Sequence, residues 1–226
     1  MKSIISKIAL SLSLVLIFSA CSDNQAGDEN SNNQTNRNVD KFGYDCNLKV
    51  VNSFTLPPCP DQKENDKTLL GIDSNNNGVR DDVERWLIMQ YKDHHPIVTE
   101  IGLQTGRAHQ FMLANSNEWR EAHDKISAAL YCNFYFENYA TFRNEPILID
   151  HLIATHNKQF RTVQHNTESR IRAYLAYDRK LSGGVYELPP IEEQRALCNF
   201  NVDRFLKEYP VEEFPNVESI FGREKY

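Results

Sequence analysis

From Val79 to Tyr209 the apolar residues of this chain recur at intervals of three and four, the spacing that puts them on one face of an α-helix. Val79, Val83, Trp86, Leu87 and Tyr91 form the first such stripe, and Ile97, Ile101, Ala108, Phe111 and Met112 the second, behind Pro96. A third helix is predicted over 117–139, with Trp119, Ala122, Ile126, Ala129, Leu130 and Asn133 on one side and an Asn115/Glu118 capping box at its start. The aromatic end of this helix, "LYCNFYF", reads as core packing. A fourth helical stretch, 147–181, is long enough to require a kink or break, and Ser182-Gly183-Gly184 stops it, because glycine readily takes the left-handed conformation that closes a helix. The last runs over 191–209, with Glu192 and Glu193 complementing the dipole of its first turn. Its stripe is Ile191, Cys198, Val202, Phe205, Leu206 and Tyr209. Pro96, Pro146 and Pro190 all stand where helices begin, the position at which a missing N–H costs nothing. No internal repeat interrupts this pattern. The expected fold is mainly α: an irregular bundle of about five helices, preceded by a disordered tether and a disulfide-bonded loop.

The 226 residues, 40% of them hydrophobic, suffice for one good core once the ends are set aside. Residues 22–40, "SDNQAGDENSNNQTNRNVD", contain almost no apolar side chains and cannot repay the entropy of ordering, so 21–43 reads as a disordered tether. Residues 44–226 form the predicted domain. Its first part, 44–72, is irregular, with Pro57, Pro58 and Pro60 around Cys59 and a weak strand signal at "LKVVNSF".

The first twenty residues differ from everything that follows. Lys2 and Lys7 precede a short apolar run, Ile8 to Phe18, which is too short to span a bilayer as a helix, and "FSAC" ends it at Cys21. This segment resembles a bacterial lipoprotein signal peptide (1–20), whose lipobox cysteine is acylated with palmitate-type chains and becomes the mature N-terminus. The resemblance implies lipid attachment at Cys21, membrane association through that N-terminal lipid, and a place in the bacterial cell envelope, at the outer membrane or in the periplasm. Ser22 after the cysteine matches the Gram-negative pattern that sorts to the outer membrane. Loss of residues 1–20 removes two lysines and no acid, taking the formal charge from −6 to about −8. With that balance and no Lys/Arg cluster, nucleic acid is excluded as a partner.

Four cysteines then remain: Cys46, Cys59, Cys132 and Cys198. An even number in an oxidising compartment points to two disulfides, with three possible pairings. The favoured one joins Cys46 to Cys59, closing a short proline-containing loop, and Cys132 to Cys198, tying two helices together. No Cys-x-x-Cys pair supports redox chemistry or covalent haem.

One stretch carries a metal-binding pattern. Asp73-Ser-Asn-Asn-Asn-Gly-Val-Arg-Asp-Asp-Val-Glu84 matches D-x-[DN]-x-[DN]-G-x5-E. A hard cation takes six to eight oxygens, and a chain coiling around it turns every second side chain inward. The loop resembles the EF-hand calcium loop. That resemblance implies calcium as cofactor, with Asp73, Asn75, Asn77, the carbonyl of Val79, Asp81 and Glu84 as ligands and Gly78 at the sharp turn. It departs from paired calcium sensors in three respects. The preceding "DKTLLGI" is short and contains Gly71, which argues against a full entering helix. Arg80 stands where paired loops carry an apolar residue, and no second loop occurs. It is closer to the single loop-then-helix motifs of exported bacterial proteins, for which a structural ion of modest affinity, roughly 10⁻⁴ to 10⁻³ M, is expected.

Catalytic signals are sparse. There is no His-Glu-x-x-His and no Gly-x-Ser-x-Gly; His151 and His156 are five apart, and Asp93-His94 and Asp150-His151 are neighbours in sequence only. Glu137, Glu145, Asp150 and Glu168 offer carboxylates that no spacing pairs. No catalytic residue is assigned, and a non-enzymatic role is favoured. The sequence thus leaves two readings. One is a calcium-binding envelope lipoprotein that binds or supports a protein or cell-wall partner. The other is an envelope hydrolase whose site is assembled from distant His, Asp and Glu residues.

Overall fold

A two-residue turn joins the two strands of the sheet. Val50–Val51 (β1) and Phe54–Thr55 (β2) pair antiparallel, and between them Asn52 and Ser53 both take positive φ, +49° and +70°. Those angles are the ones a type I′ hairpin requires, and Asn tolerates them better than most residues. The computed structural model describes residues 38–115, 117–139, 158–182 and 188–210; the signal segment, Cys21 and most of the tether lie outside these, as do Glu145, Asp150, His151 and His156.

Among the described residues eight α-helices follow the hairpin: α1 (Gln62–Lys67), α2 (Asp81–Gln90), α3 (Pro96–Ala114), α4 (Trp119–Phe134), α5 (Lys158–Gln164), α6 (Glu168–Leu181), α7 (Ile191–Gln194) and α8 (Val202–Glu208). A π-helical turn, Tyr135–Tyr139, prolongs α4, and a 3₁₀ turn, Arg195–Leu197, follows α7. The fold is mainly helical, as the periodicity predicts, and all described residues belong to one compact unit, Arg37–Tyr226. None of these helices is long and apolar enough to cross a membrane.

Helix α3 is central and packs against α2, α4, α6 and α8. Pro96 occupies its first turn, and the His95 Nδ1 accepts from the Ile97 N–H, so one orphan amide of the helix start is satisfied by an imidazole. The main core gathers Val79, Val83, Leu87, Ile97 and Ile101 with Cys132, Phe136 and Phe160, while a smaller cluster around Met112, Leu113, Ala122 and Tyr177 lies at the other end of α3. Asn52 at the hairpin tip donates its side-chain amide to the carbonyls of Tyr91 and His94, closing the end of α2.

Both disulfides form as the sequence favours. Cys46–Cys59 brings Cα atoms to 5.6 Å and Cys132–Cys198 to 4.9 Å. By loop-closure entropy these links contribute about 3 and about 4 kcal/mol respectively.

Two local expectations are corrected and a third is met. No capping box starts α4: Glu118 is the N-cap without a side-chain bond, and the Asn115 amide turns back to the Phe111 carbonyl, closing α3 instead. The stretch 191–209 is two short helices separated by the 3₁₀ turn and an extended Cys198, so Ile191 is exposed and does not join the inward stripe; Pro190 is the N-cap of α7. The expected break in the fourth helical stretch falls at His165 and Asn166, between α5 and α6.

Candidate metal centre

The acidic loop leads directly into α2. Its backbone coils because each early side chain accepts from an amide further along. Asp73 Oδ1 and Oδ2 accept from Asn77 N (3.2 Å) and Gly78 N (2.9 Å), Asn75 Oδ1 accepts from Asn77 N (3.1 Å), and Asn77 Oδ1 accepts from Val79 N (2.9 Å). These short-range side-chain bonds are what Asp and Asn supply in turns. Gly78 has φ +82°, a conformation that glycine adopts without strain. Two bonds close the coil across its mouth. Asp81 Oδ1 accepts from Ser74 N (2.9 Å), and Glu84 Oε2 accepts from the Asn75 side-chain amide (3.1 Å).

The loop therefore links Asp73, Asn75, Asn77 and Val79 through one chain of bonds, and ties Asp81 and Glu84 of α2 to it. Asp81 and Glu84 are buried, at 1% and 4% exposure. Burial pushes the Glu84 carboxyl up to about 7; the neighbouring Asp81 and Asp73 push the same way, against the hydrogen bonds of Asn75 and Asn77. Asp81 is raised as well, first by burial and then by Asp73 and Asp82, while its bonds from Ser74 lower it. No Lys or Arg forms an ion pair with Asp73, Asp81 or Glu84 among the described residues. Nor do three His, Cys, Asp or Glu side chains there stand together as a metal-holding group. Three of the six oxygens the pattern designates are amide or backbone carbonyls, so the donor set is all oxygen, which fits a hard divalent cation.

Two residues before Glu84, Asp82 is also 4% exposed but differently served. Arg80 Nε donates to its Oδ1 at 2.5 Å and Lys41 Nζ to its Oδ2 at 2.6 Å. The same Arg80, fully buried, donates to the carbonyls of Val163 (2.8 Å) and Gln164 (3.2 Å), so the loop is fastened to the end of α5.

Arg80 has two counterparts, and periodicity gave no warning of any of them. Arg85 donates to the carbonyls of Pro57 (2.8 Å) and Asp45 (2.9 Å), and Arg170 to those of Asn65 (2.6 Å), Leu69 (3.0 Å) and Thr68 (3.1 Å) and to the Asp66 carboxylate (2.8 Å). All three guanidiniums are fully buried, and each donates to carbonyls at helix ends or in irregular backbone. Gly71 fits beneath two of them: a Cβ there would stand 2.3 Å from Arg80 Cδ and 2.8 Å from Arg170 Nη2. The segment entering the loop is accordingly a glycine corner after the six-residue α1, in keeping with the short "DKTLLGI" run. The one local signal for Arg80 was its position two residues before Asp82.

The described histidines take separate places. His95 caps α3, and its Nε2–H donates to the Tyr209 carbonyl at 2.8 Å. His109 and His165 lie 5.4 Å apart, ring centre to ring centre, and His165 stacks on Tyr174. Burial holds His109 down to about 4, with Arg161 adding to it; burial, His109, Arg80, Arg161 and Arg170 hold His165 at about 3. His123 Nε2 lies 3.4 Å from Ser127 Oγ, and its Nδ1 3.4 Å from the Tyr177 hydroxyl. Of the candidate carboxylates, Glu168 is paired with Arg172 on the surface of α6 and does not meet Glu137 in a shared site. Comparison with protein-family models, with characterised proteins and with solved structures yields no match.

Proposed function

We propose that this chain is a cell-envelope lipoprotein anchored through acylated Cys21, in which loop 73–84 holds one calcium ion with a mainly structural role, and that its helical domain binds or supports a protein or cell-wall partner. The observation that carries the calcium reading is the charge imbalance at the start of α2. Asp81 and Asp73 raise the Glu84 carboxyl by their charge, the donors to the three carboxylates are amides and the Ser74 hydroxyl with no cation among them, and Asp81 and Glu84 are buried. Burying anionic groups without a counter-charge is unfavourable by several kcal/mol, and a divalent cation among these oxygens removes that cost. Asp73, Asn75, Asn77, Val79, Asp81 and Glu84 would hold it, and the ion supplies positive charge and nothing further. Fixing Glu84 to the loop would fasten the first turn of α2 to the preceding turn.

Calorimetric titration with calcium tests this reading. A Kd of roughly 10⁻⁴ to 10⁻³ M is expected, with Glu84→Gln weakening it by at least about tenfold. At about 10 mM calcium the fold gains about 1.4 to 2.7 kcal/mol. Absence of binding heat, together with one melting temperature in calcium and in chelator, defeats the proposal. Fatty-acid labelling that survives Cys21→Ser defeats the anchor.

No contact among the described residues assembles distant His, Asp and Glu side chains into a hydrolase site; the contact that favours a hydrolase of another kind is His123 Nε2 to Ser127 Oγ, four residues apart on α4, beside a cavity of about 620 Å³ that both residues line. A serine-directed fluorophosphonate that modifies the chain, but not Ser127→Ala, would support it. If chelation abolishes an activity while the fold survives, the structural-ion reading fails.

A further inference from the structure

A second region differs from the acidic loop in charge. Along α3, Gln104, Arg107, Phe111 and Asn115 follow one another at three- and four-residue spacing and face a cavity of about 490 Å³. Lys125 and Ala128 of α4 form its other wall, with Leu197 at the end of the 3₁₀ turn and Asn199 beyond it. The chain has 31 acidic and 25 basic residues, yet the ionisable residues lining this cavity are two cations, Arg107 and Lys125. Low-dielectric walls focus the field of such a pair, which draws anions to the cleft.

The two cations are set in place from behind. Arg107 Nη2 donates to Glu100 Oε1 (3.1 Å) and Asn199 Oδ1 (3.0 Å), while its Nε and Nη1 have no acceptor among the described residues. Lys125 Nζ stands 4.7 Å over the Phe111 ring and 3.3 Å from Glu121. Neither glutamate lines the cavity. Gly78 bounds its far edge, where a Cβ would come within 3.6 Å of Arg107 Cγ. The rest of the lining is the Phe111 ring with Ala108, Ala114, Ala128 and Leu197 and the amides of Gln104, Gln110, Asn115 and Asn199, so the cleft combines two cations with an apolar surface. A site of this size with few polar groups on an apolar lining suits a small molecule.

We propose that this cavity binds a small amphiphilic carboxylate, its anionic group held by Arg107 and Lys125 and its apolar body lying on Phe111 and the alanines. Arg107 Nη2, which belongs to both forked edges of the guanidinium, is taken by Glu100 and Asn199, so a carboxylate is held by a single charge-assisted N–H from Nε or Nη1 together with the Lys125 ammonium. The site goes beyond the calcium reading, because neither cation is a loop ligand.

Three probes of one shape separate charge from shape: 2-naphthoate, neutral 2-naphthamide and cationic 2-naphthylmethylammonium, titrated into the full chain in calcium and in chelator. The carboxylate is expected to bind with a Kd of about 1 mM or tighter, the level typical of a ligand that size, in both media. The amide should bind about tenfold more weakly and the ammonium not measurably. Arg107→Gln and Lys125→Gln should each cost about tenfold in naphthoate affinity with unchanged melting temperature, while Arg204→Gln on α8 changes nothing. Equal binding of carboxylate and amide overturns the proposal, as does naphthoate affinity indifferent to both substitutions or no binding of any probe. Because calcium titration is read separately, failure here leaves the loop's ion untouched, and the reverse also holds.

Discussion

Asp82 and Glu84 stand two residues apart on the first turn of α2 and are equally buried, yet they are served in opposite ways. Asp82 has Arg80 and Lys41 on its two oxygens, whereas Glu84 has the Asn75 amide and, nearby, two more carboxylates. The first arrangement is complete within the chain. The second leaves negative charge that amides alone do not neutralise, which is the physical reason for assigning a cation to it and not to Asp82.

Breaking the completed side should have the largest effect. Arg80→Met leaves Asp82 with Lys41 alone and strips the Val163 and Gln164 carbonyls of their donor; a loss of about 3 to 5 kcal/mol in denaturant-derived stability is expected. A loss under about 1 kcal/mol would mean that the buried pair does not organise this region.

Burial and the charge of Arg80 act on His165, beside the buried His109, and the pH dependence of stability reports on these two imidazoles. Folded-state values near 3 and 4 lie below the ordinary imidazole value of 6.5, so the unfolded chain binds protons first as pH falls. Stability from these groups is full above about pH 6.5 and is lost as pH drops toward 4, by about 3 kcal/mol for His109 alone. His109→Gln should flatten that part of the profile, and an unchanged slope would show that the imidazole is not held neutral by the fold.

The incomplete side responds with the opposite sign. Glu84 is raised from 4.5 to about 7, so its carboxylate destabilises the ion-free fold fully above pH 7, and progressively less as pH falls toward 4.5. In chelator at pH 8, Glu84→Gln should therefore stabilise by about 2 to 3 kcal/mol while calcium no longer stabilises the variant. A destabilised variant in chelator would contradict the charge imbalance. The smallest effect belongs to Lys41→Gln, which removes a partner that is 24% exposed; about 0.5 to 1 kcal/mol is expected, with no change in calcium affinity.

Much of this was legible in the residues. The helical stripes located α2, α3 and α4 within a few residues, and even cysteine numbers with Cys198 in an apolar stripe favoured the pairing that forms. The oxygens of loop 73–84 follow from spacing alone, because each bond from Asp73 to Val79 spans five residues or fewer. Other features escaped because they depend on distant chain. The Asn115/Glu118 pair had the right letters for a cap, yet Asn115 bonded backward to Phe111. Residues 191–209 had a helical stripe, yet Cys198 is extended where it meets Cys132.

By itself, then, the sequence determined a helical fold after residue 78, two disulfides and a coil of oxygen donors ending in Glu84, since all of these arise from periodicity, side-chain type or short-range bonding. Only the tertiary structure decided that α2 is buried on its charged side as well as its apolar one. Arg80 finds its acceptors more than eighty residues ahead, at Val163 and Gln164, and Arg85 finds its own behind it, at Asp45 and Pro57. Backbone carbonyls look alike at every position in a sequence, so which of them lack partners is known only once the chain has folded.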